Sequence, residues 1–104
     1  MPESGDVVLV NLKFVDGDEY KKRPALVLYK EYGNLVVAGI TSNTRMGGIQ
    51  LSESEGAIKP SVIKLNYLFT IPGHAIERYL FSVGVEKRRT VFDGLIERMR
   101  VLIE

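Results

Sequence analysis

Apolar and polar positions alternate from Val7 to Phe14, with Val8, Val10, Leu12 and Phe14 on one side and Asn11 and Lys13 on the other. That is the period of a half-buried β-strand. Val15 to Lys22 breaks the alternation, is polar and holds the turn-forming pair Asp16-Gly17, which predicts an exposed loop. Pro24 to Tyr29 is a continuous apolar run. It predicts a strand buried on both faces, and proline is tolerated at its first residue, where no ladder donor is needed. Glu31-Tyr32-Gly33-Asn34 turns the chain into a second buried run, Leu35 to Ile40, so these two core strands form a hairpin. Thr41 and Ser42 lie where that strand surfaces, and Asn43 to Gly48 is a polar, glycine-bearing loop. A short strand at Ile49 to Leu51 and a second loop through Gly56 follow. Ser61 to Leu65, Tyr67 to Ile71 and Ala75 to Val85, the last ending at Gly84, read as further strands.

The period then changes. Val91, Phe92, Leu95, Ile96, Met99, Leu102 and Ile103 fall on one helical stripe, with Arg98 and Arg100 off it, which predicts a C-terminal amphipathic helix. Thr90 and Asp93 have capping-box spacing and place the helix start near Thr90; Gly94 weakens the helix interior slightly. Six or seven short strands with one packed helix predict a mostly β fold, a small curled sheet or barrel that leaves few exposed edges. At 104 residues the chain is expected to be a single domain spanning 1–104.

Composition narrows the function classes. Hydrophobic residues at 45% and charged residues at 26% argue against disorder. A net charge of +1 leaves any polyanion surface to local clusters, of which Lys21-Lys22-Arg23 and Lys87-Arg88-Arg89 are the two present. Both also read as ordinary solvated surface. With no cysteine and one histidine, a disulfide framework, a thiolate zinc site and a multi-imidazole metal centre are all ruled out, so no metal or cofactor is expected. The first residues lack the basic start of a signal peptide, and no apolar run approaches the roughly 20 residues needed to cross a bilayer. A cytoplasmic location without membrane insertion is the expectation.

Gly5-Asp6-Val7-Val8-Leu9-Val10, a loop running from acidic to basic, Lys22-Arg23-Pro24-Ala25-Leu26-Val27-Leu28 and Ile40-Thr41-Ser42-Asn43 occur in this order. Together they resemble the MazF/PemK family of toxin endoribonucleases, and Lys64-Leu65-Asn66-Tyr67-Leu68-Phe69-Thr70-Ile71 is similar to a later segment of that family. The resemblance covers essentially the whole chain. It implies an SH3-like barrel, a homodimer, metal-independent cleavage of single-stranded RNA, and neutralisation by a cognate antitoxin that occupies the RNA groove.

Such cleavage requires the 2′-hydroxyl to lose its proton, the phosphate's developing charge to be stabilised and the 5′-oxygen to be protonated on leaving. Arg23 suits charge stabilisation, because its planar fork holds two phosphate oxygens; the resemblance makes it catalytic. Thr41 matches the family's catalytic threonine and offers a hydroxyl to the scissile phosphate, with Ser42 assisting, although threonine also suits a strand for its shape alone. Glu19 is the acid nearest a matched family position and the candidate base, and a solvated loop residue is the competing reading. Tyr20, Lys21, Lys22, Ser42, Asn43, Arg45 and Lys64 are candidate RNA-binding residues: the cations track the backbone and Tyr20 or Phe14 stacks on a base. Asn43 and the loop to Gly48 depart from the lysine or serine expected in the family, which leaves the cleavage sequence open. His74 follows Pro72-Gly73. It is a candidate acid or base by residue type alone, and matches no family motif.

Two other functions compete. A gyrase-poisoning toxin of the CcdB type acts through a tryptophan-bearing tail, and this chain has no tryptophan. A catalytically silent SH3-like module that binds RNA or protein has the same strand pattern. Leu68, Phe69 and Phe81 are candidates for a dimer interface.

Overall fold

The computed structural model describes residues 1–15 and 17–104; Asp16, in the first predicted loop, lies outside them. Six antiparallel strands form one sheet in the order β4-β5-β3-β2-β1-β6, with β1 at Asp6–Leu12, β2 at Lys21–Glu31, β3 at Asn34–Thr41, β4 at Ile49–Leu51, β5 at Ser61–Pro72 and β6 at Ile76–Ser82. Among the described residues one α-helix, α1, runs from Val85 to Met99. The architecture is mostly β with a C-terminal helix, as expected. The sheet curls strongly but stays open, since no ladder joins β4 to β6 among the described residues.

Hydrophobic clusters cover both faces. Val8, Val10, Leu12, Phe14, Ala25, Val27 and Val37 share one with Tyr67 and Ile71. Val7, Leu26, Ala38, Ile40, Leu51, Ile63 and Leu65 share the other with Val91 of the helix. The alternation read for β1 therefore holds, and Val7 on the opposite side is buried as well. Tyr32 and Gly33 form the tight β2–β3 turn, both at positive φ, 51° and 80°, the conformation a two-residue hairpin needs to match strand twist.

Several boundaries differ from the sequence reading. Lys21-Lys22-Arg23 belongs to β2 and pairs with Leu12-Asn11-Val10 of β1; the ladder to β1 overrides the polarity that suggested a loop. Ser61 to Pro72 is one strand, bent at a corner. Gly39 alone separates the pairs Ala38 with Leu68 and Ile40 with Ile63, while β5 inserts Lys64, Leu65, Asn66 and Tyr67 over the same step. The helix begins at Val85 after Gly84. Thr90 lies inside it, its hydroxyl donating to the Glu86 carbonyl at 3.1 Å, and Asp93 accepts from Arg89. The Thr90–Asp93 capping box does not form, and Lys87-Arg88-Arg89 occupies the first turns of the helix. Gly94 has a packing reason: a Cβ there would sit 2.7 Å from a Leu65 methyl, so glycine lets the helix lie close on the sheet.

Candidate functional site

Where β2 begins and β3 ends, the ladder pairs Ala25 with Gly39. Two steps further out, on the same side of the sheet, stand Arg23 and Thr41. The Phe14 ring packs over Gly39, whose missing Cβ would lie 2.6 Å from the ring edge. Arg23 lays its guanidinium on this ring, 4.0 Å above the centroid, an attraction of about 0.5–2 kcal/mol. Phe14 meets Tyr67 at 4.6 Å and Phe69 at 6.0 Å, so the platform is fixed from both sides. Among the described residues no carboxylate pairs with Arg23, and its Nε is buried without an acceptor. An unmet buried donor costs about 1–3 kcal/mol, a cost that an acceptor brought to Nε would relieve.

Thr41 is buried, and its Oγ1 accepts the Asn43 backbone N–H at 3.1 Å. The hydroxyl proton is thereby left to donate outward. Asn43 Oδ1 in turn accepts the Arg45 backbone N–H at 3.2 Å. Ser42 is exposed on the opposite side and lines a cavity of about 370 Å³ with Lys22, Pro24, Ile40, Lys59 and Phe81, and Arg23 also reaches its wall. Lys22 is drawn to that side by Glu77 at 3.1 Å, one of two residues, with Leu80, that bulges in β6 insert against β1.

The structure brings Arg23 and Thr41 to one place and separates others from them. Glu19 is exposed, and its carboxylate stands 4.0 Å from Lys21; among the described residues no ion pair joins it to Arg23. Tyr20 is 68% exposed and available for stacking. Phe14, at 3% exposure, is the seat of Arg23 and is too buried to stack on a base. Lys64 is 9% exposed; its Nζ donates to the Gly47 carbonyl at 2.7 Å and lies 5.3 Å from the Tyr67 ring centroid. It turns inward instead of lying along the surface. Arg45 is exposed, with no side-chain partner among the described residues. His74 sits in the exposed turn Gly73–Ala75 between β5 and β6. Sequence reasoning missed the Phe14 platform and the Lys22–Glu77 pair. Alternation had signalled burial of Phe14, whereas a bulge that re-aims Glu77 leaves no local signature. No cluster of three or more potential metal ligands occurs among the described residues, and no helix there is long and apolar enough to cross a membrane.

A curled antiparallel sheet with one C-terminal helix places a guanidinium that has no carboxylate partner among the described residues at the same strand ends as a threonine hydroxyl, in a small, mostly β protein. The family model for PemK-like, MazF-like toxins of type II toxin-antitoxin systems matches residues 3–97, and the chain belongs to that family. Among solved structures, the Mycobacterium tuberculosis toxin MazF-mt6 is 22% identical with a TM-score of 0.75, covering 91% of this chain and 96% of that one. MazE-MazF from Deinococcus radiodurans is 18% identical with a TM-score of 0.73, covering 95% and 96%. An endoribonuclease in complex with its cognate antitoxin from a mycobacterial species is 15% identical with a TM-score of 0.72, covering 95% and 93%. These structures share the fold with this chain. Curated proteins gave no match.

Proposed function

We propose that this chain is the toxin of a toxin-antitoxin pair and a sequence-selective endoribonuclease that cleaves single-stranded RNA without a metal. The observation that carries the reading is the Arg23 guanidinium, stacked on Phe14 at 4.0 Å, free of any carboxylate among the described residues and at the same paired strand ends as Thr41. A scissile phosphate seated there meets a planar charged fork on one side and the Thr41 hydroxyl on the other. As the 2′-oxygen attacks phosphorus, Arg23 stabilises the charge growing on the equatorial oxygens, and the Thr41 hydroxyl donates to one of them. Glu19 takes the 2′-hydroxyl proton; engaged only by an exposed lysine at 4.0 Å, its side chain is free to swing towards RNA. The bond to the 5′-oxygen breaks as that oxygen takes a proton from solvent water, leaving a 2′,3′-cyclic phosphate and a 5′-hydroxyl.

A cognate antitoxin and a second copy of this chain complete the proposed assembly; one structural neighbour is described as an endoribonuclease in complex with its antitoxin. Incubation with long RNA in excess chelator is expected to give discrete fragments ending in cyclic phosphate. A 2′-deoxy substitution at the cleaved nucleotide is expected to abolish the cut. Absence of cleavage across diverse RNAs overturns the reading, and binding without turnover would mark a silent RNA-binding module.

A further inference from the structure

The loop between β3 and β4 is tied at both ends. At its start, the Thr41 hydroxyl oxygen holds the Asn43 N–H, the Asn43 side chain holds the Arg45 N–H, and the Met46 N–H returns to the Asn43 carbonyl at 3.1 Å. At its end, Gly48 runs so close to β5 that a Cβ would collide with the Ile63 carbonyl oxygen. Between these, the Lys64 ammonium reaches across 17 positions of sequence to the Gly47 carbonyl at 2.7 Å. Lys64 comes from the corner of β5, where the strand inserts residues opposite Gly39, beside the Phe14–Tyr67 platform under Arg23. It is 9% exposed and has no carboxylate partner among the described residues. A lysine is almost never buried unpaired. Here the ammonium is held by a carbonyl dipole and by an aromatic face at 5.3 Å.

The loop held this way presents Asn43 and Arg45 to solvent next to Thr41. The Asn43 oxygen is spent on the loop itself, which leaves its amide N–H₂ as a free donor on an exposed residue, and the Arg45 guanidinium has no partner among the described residues. Both groups suit the hydrogen-bonding edge of an unstacked base.

We infer that Lys64 is a positioning residue that fixes the Asn43–Gly48 loop so that Asn43 and Arg45 read the nucleotide beside the one held by Arg23 and Thr41. The inference rests on the ribonuclease reading. Cleavage-sequence choice then depends on a side chain that touches no base. Lys64 contributes a donor at a fixed distance, which an apolar residue of the same length lacks.

The experiment compares the wild type with Lys64→Met and Lys64→Arg by amide hydrogen exchange and by sequencing the 5′ ends of fragments from a random RNA pool. In Lys64→Met, exchange at Arg45 and Met46 is expected to rise about tenfold, the loss of one charge-assisted hydrogen bond, with β2 and β3 amides unchanged. The cleavage consensus is expected to relax, and KM for the preferred sequence to rise about tenfold with kcat nearly preserved. Lys64→Arg keeps a charged donor and is expected to restore the consensus. If Lys64→Met does not fold, Lys64→Gln, a donor too short to reach Gly47, serves in its place. Wild-type cleavage with an unchanged consensus in the variant overturns the inference alone. Failure of the wild type to cleave any RNA overturns the ribonuclease reading and the inference with it.

Discussion

Arg23→Lys separates the two things a guanidinium does on the Phe14 ring. Lysine keeps the charge but loses both the fork that spans two phosphate oxygens and most of the stacking at 4.0 Å. The expected result is a fall in single-turnover cleavage of about 10²-fold or more, comparable to losing an oxyanion donor, with only a small shift in melting temperature, because the lost stacking is offset by removal of the unmet Nε donor. Gly39→Ala tests the platform from below. Its Cβ would stand 2.6 Å from the Phe14 ring edge and 3.4 Å from Phe69. Overpacking here is expected to cost about 1–3 kcal/mol in urea denaturation and to lower cleavage as well, because Phe14 carries Arg23; a stable, fully active variant contradicts that coupling. The ordered motifs single out Arg23 and Thr41 in the sequence, and the structure sets them at paired strand ends. Phe14 was legible only as buried, because alternation reports which face a side chain takes and says nothing of what rests on it.

At the scale of elements, local patterns succeeded where the nearest neighbours in sequence decide the structure, as in the Tyr32-Gly33 hairpin and the short strand β4. They failed where a distant partner decides. Lys21 and Lys22 look like loop but are strand because β1 supplies their ladder. Thr90 looks like a cap but lies inside a helix whose start is placed by packing of its preceding segment, with the Val83 N–H bonded to the Gly5 carbonyl at 2.9 Å. The capping-box arrangement sits instead at Ser52, whose backbone N–H donates to Glu55 at 2.9 Å. Glu55 also pairs with Lys87 at 3.4 Å and so ties the β4–β5 connection to the helix. The Ser52 N–H chiefly, and then the Ser52 hydroxyl and Lys87, hold the Glu55 carboxyl below its ordinary value against the opposing effect of partial burial. The folded protein therefore binds the proton less readily than the unfolded chain. The stabilisation is present above the ordinary glutamate value, about 4.3, and is lost as pH falls through the lowered one. Glu55→Gln is expected to flatten the fall in thermal stability below about pH 4.3 while lowering stability at neutral pH; parallel curves for the two proteins would show that Glu55 does not contribute.

The whole molecule leaves one side of its helix uncovered. Val91 and Leu95 pack on the sheet, whereas Phe92 is 56% and Ile96 44% exposed, with Met99, Leu102 and Ile103 beyond them also exposed. The amphipathic stripe read from the sequence is thus wider than the core uses. Of the interface candidates, Phe69 and Phe81 are half-buried against the two clusters and Leu68 is exposed on β5, a single side chain beside the larger apolar surface of the helix. In a chain of 11.7 kDa a contiguous exposed apolar face of this kind marks an interaction site, and a two-fold pairing of like helices is the simplest closed arrangement that covers it. Light scattering at micromolar concentration is expected to give twice the chain mass. The Phe92→Glu/Ile96→Glu double variant is expected to give the single mass with an unchanged circular dichroism spectrum, since neither side chain is needed for the fold of one copy. A monomeric wild type rules out the dimer, and a variant that stays dimeric moves the interface off the helix. If the variant is monomeric and still cleaves RNA with the wild-type consensus, Arg23, Thr41 and the loop held by Lys64 form a complete site within one copy; if cleavage is lost with the dimer, the second copy completes it.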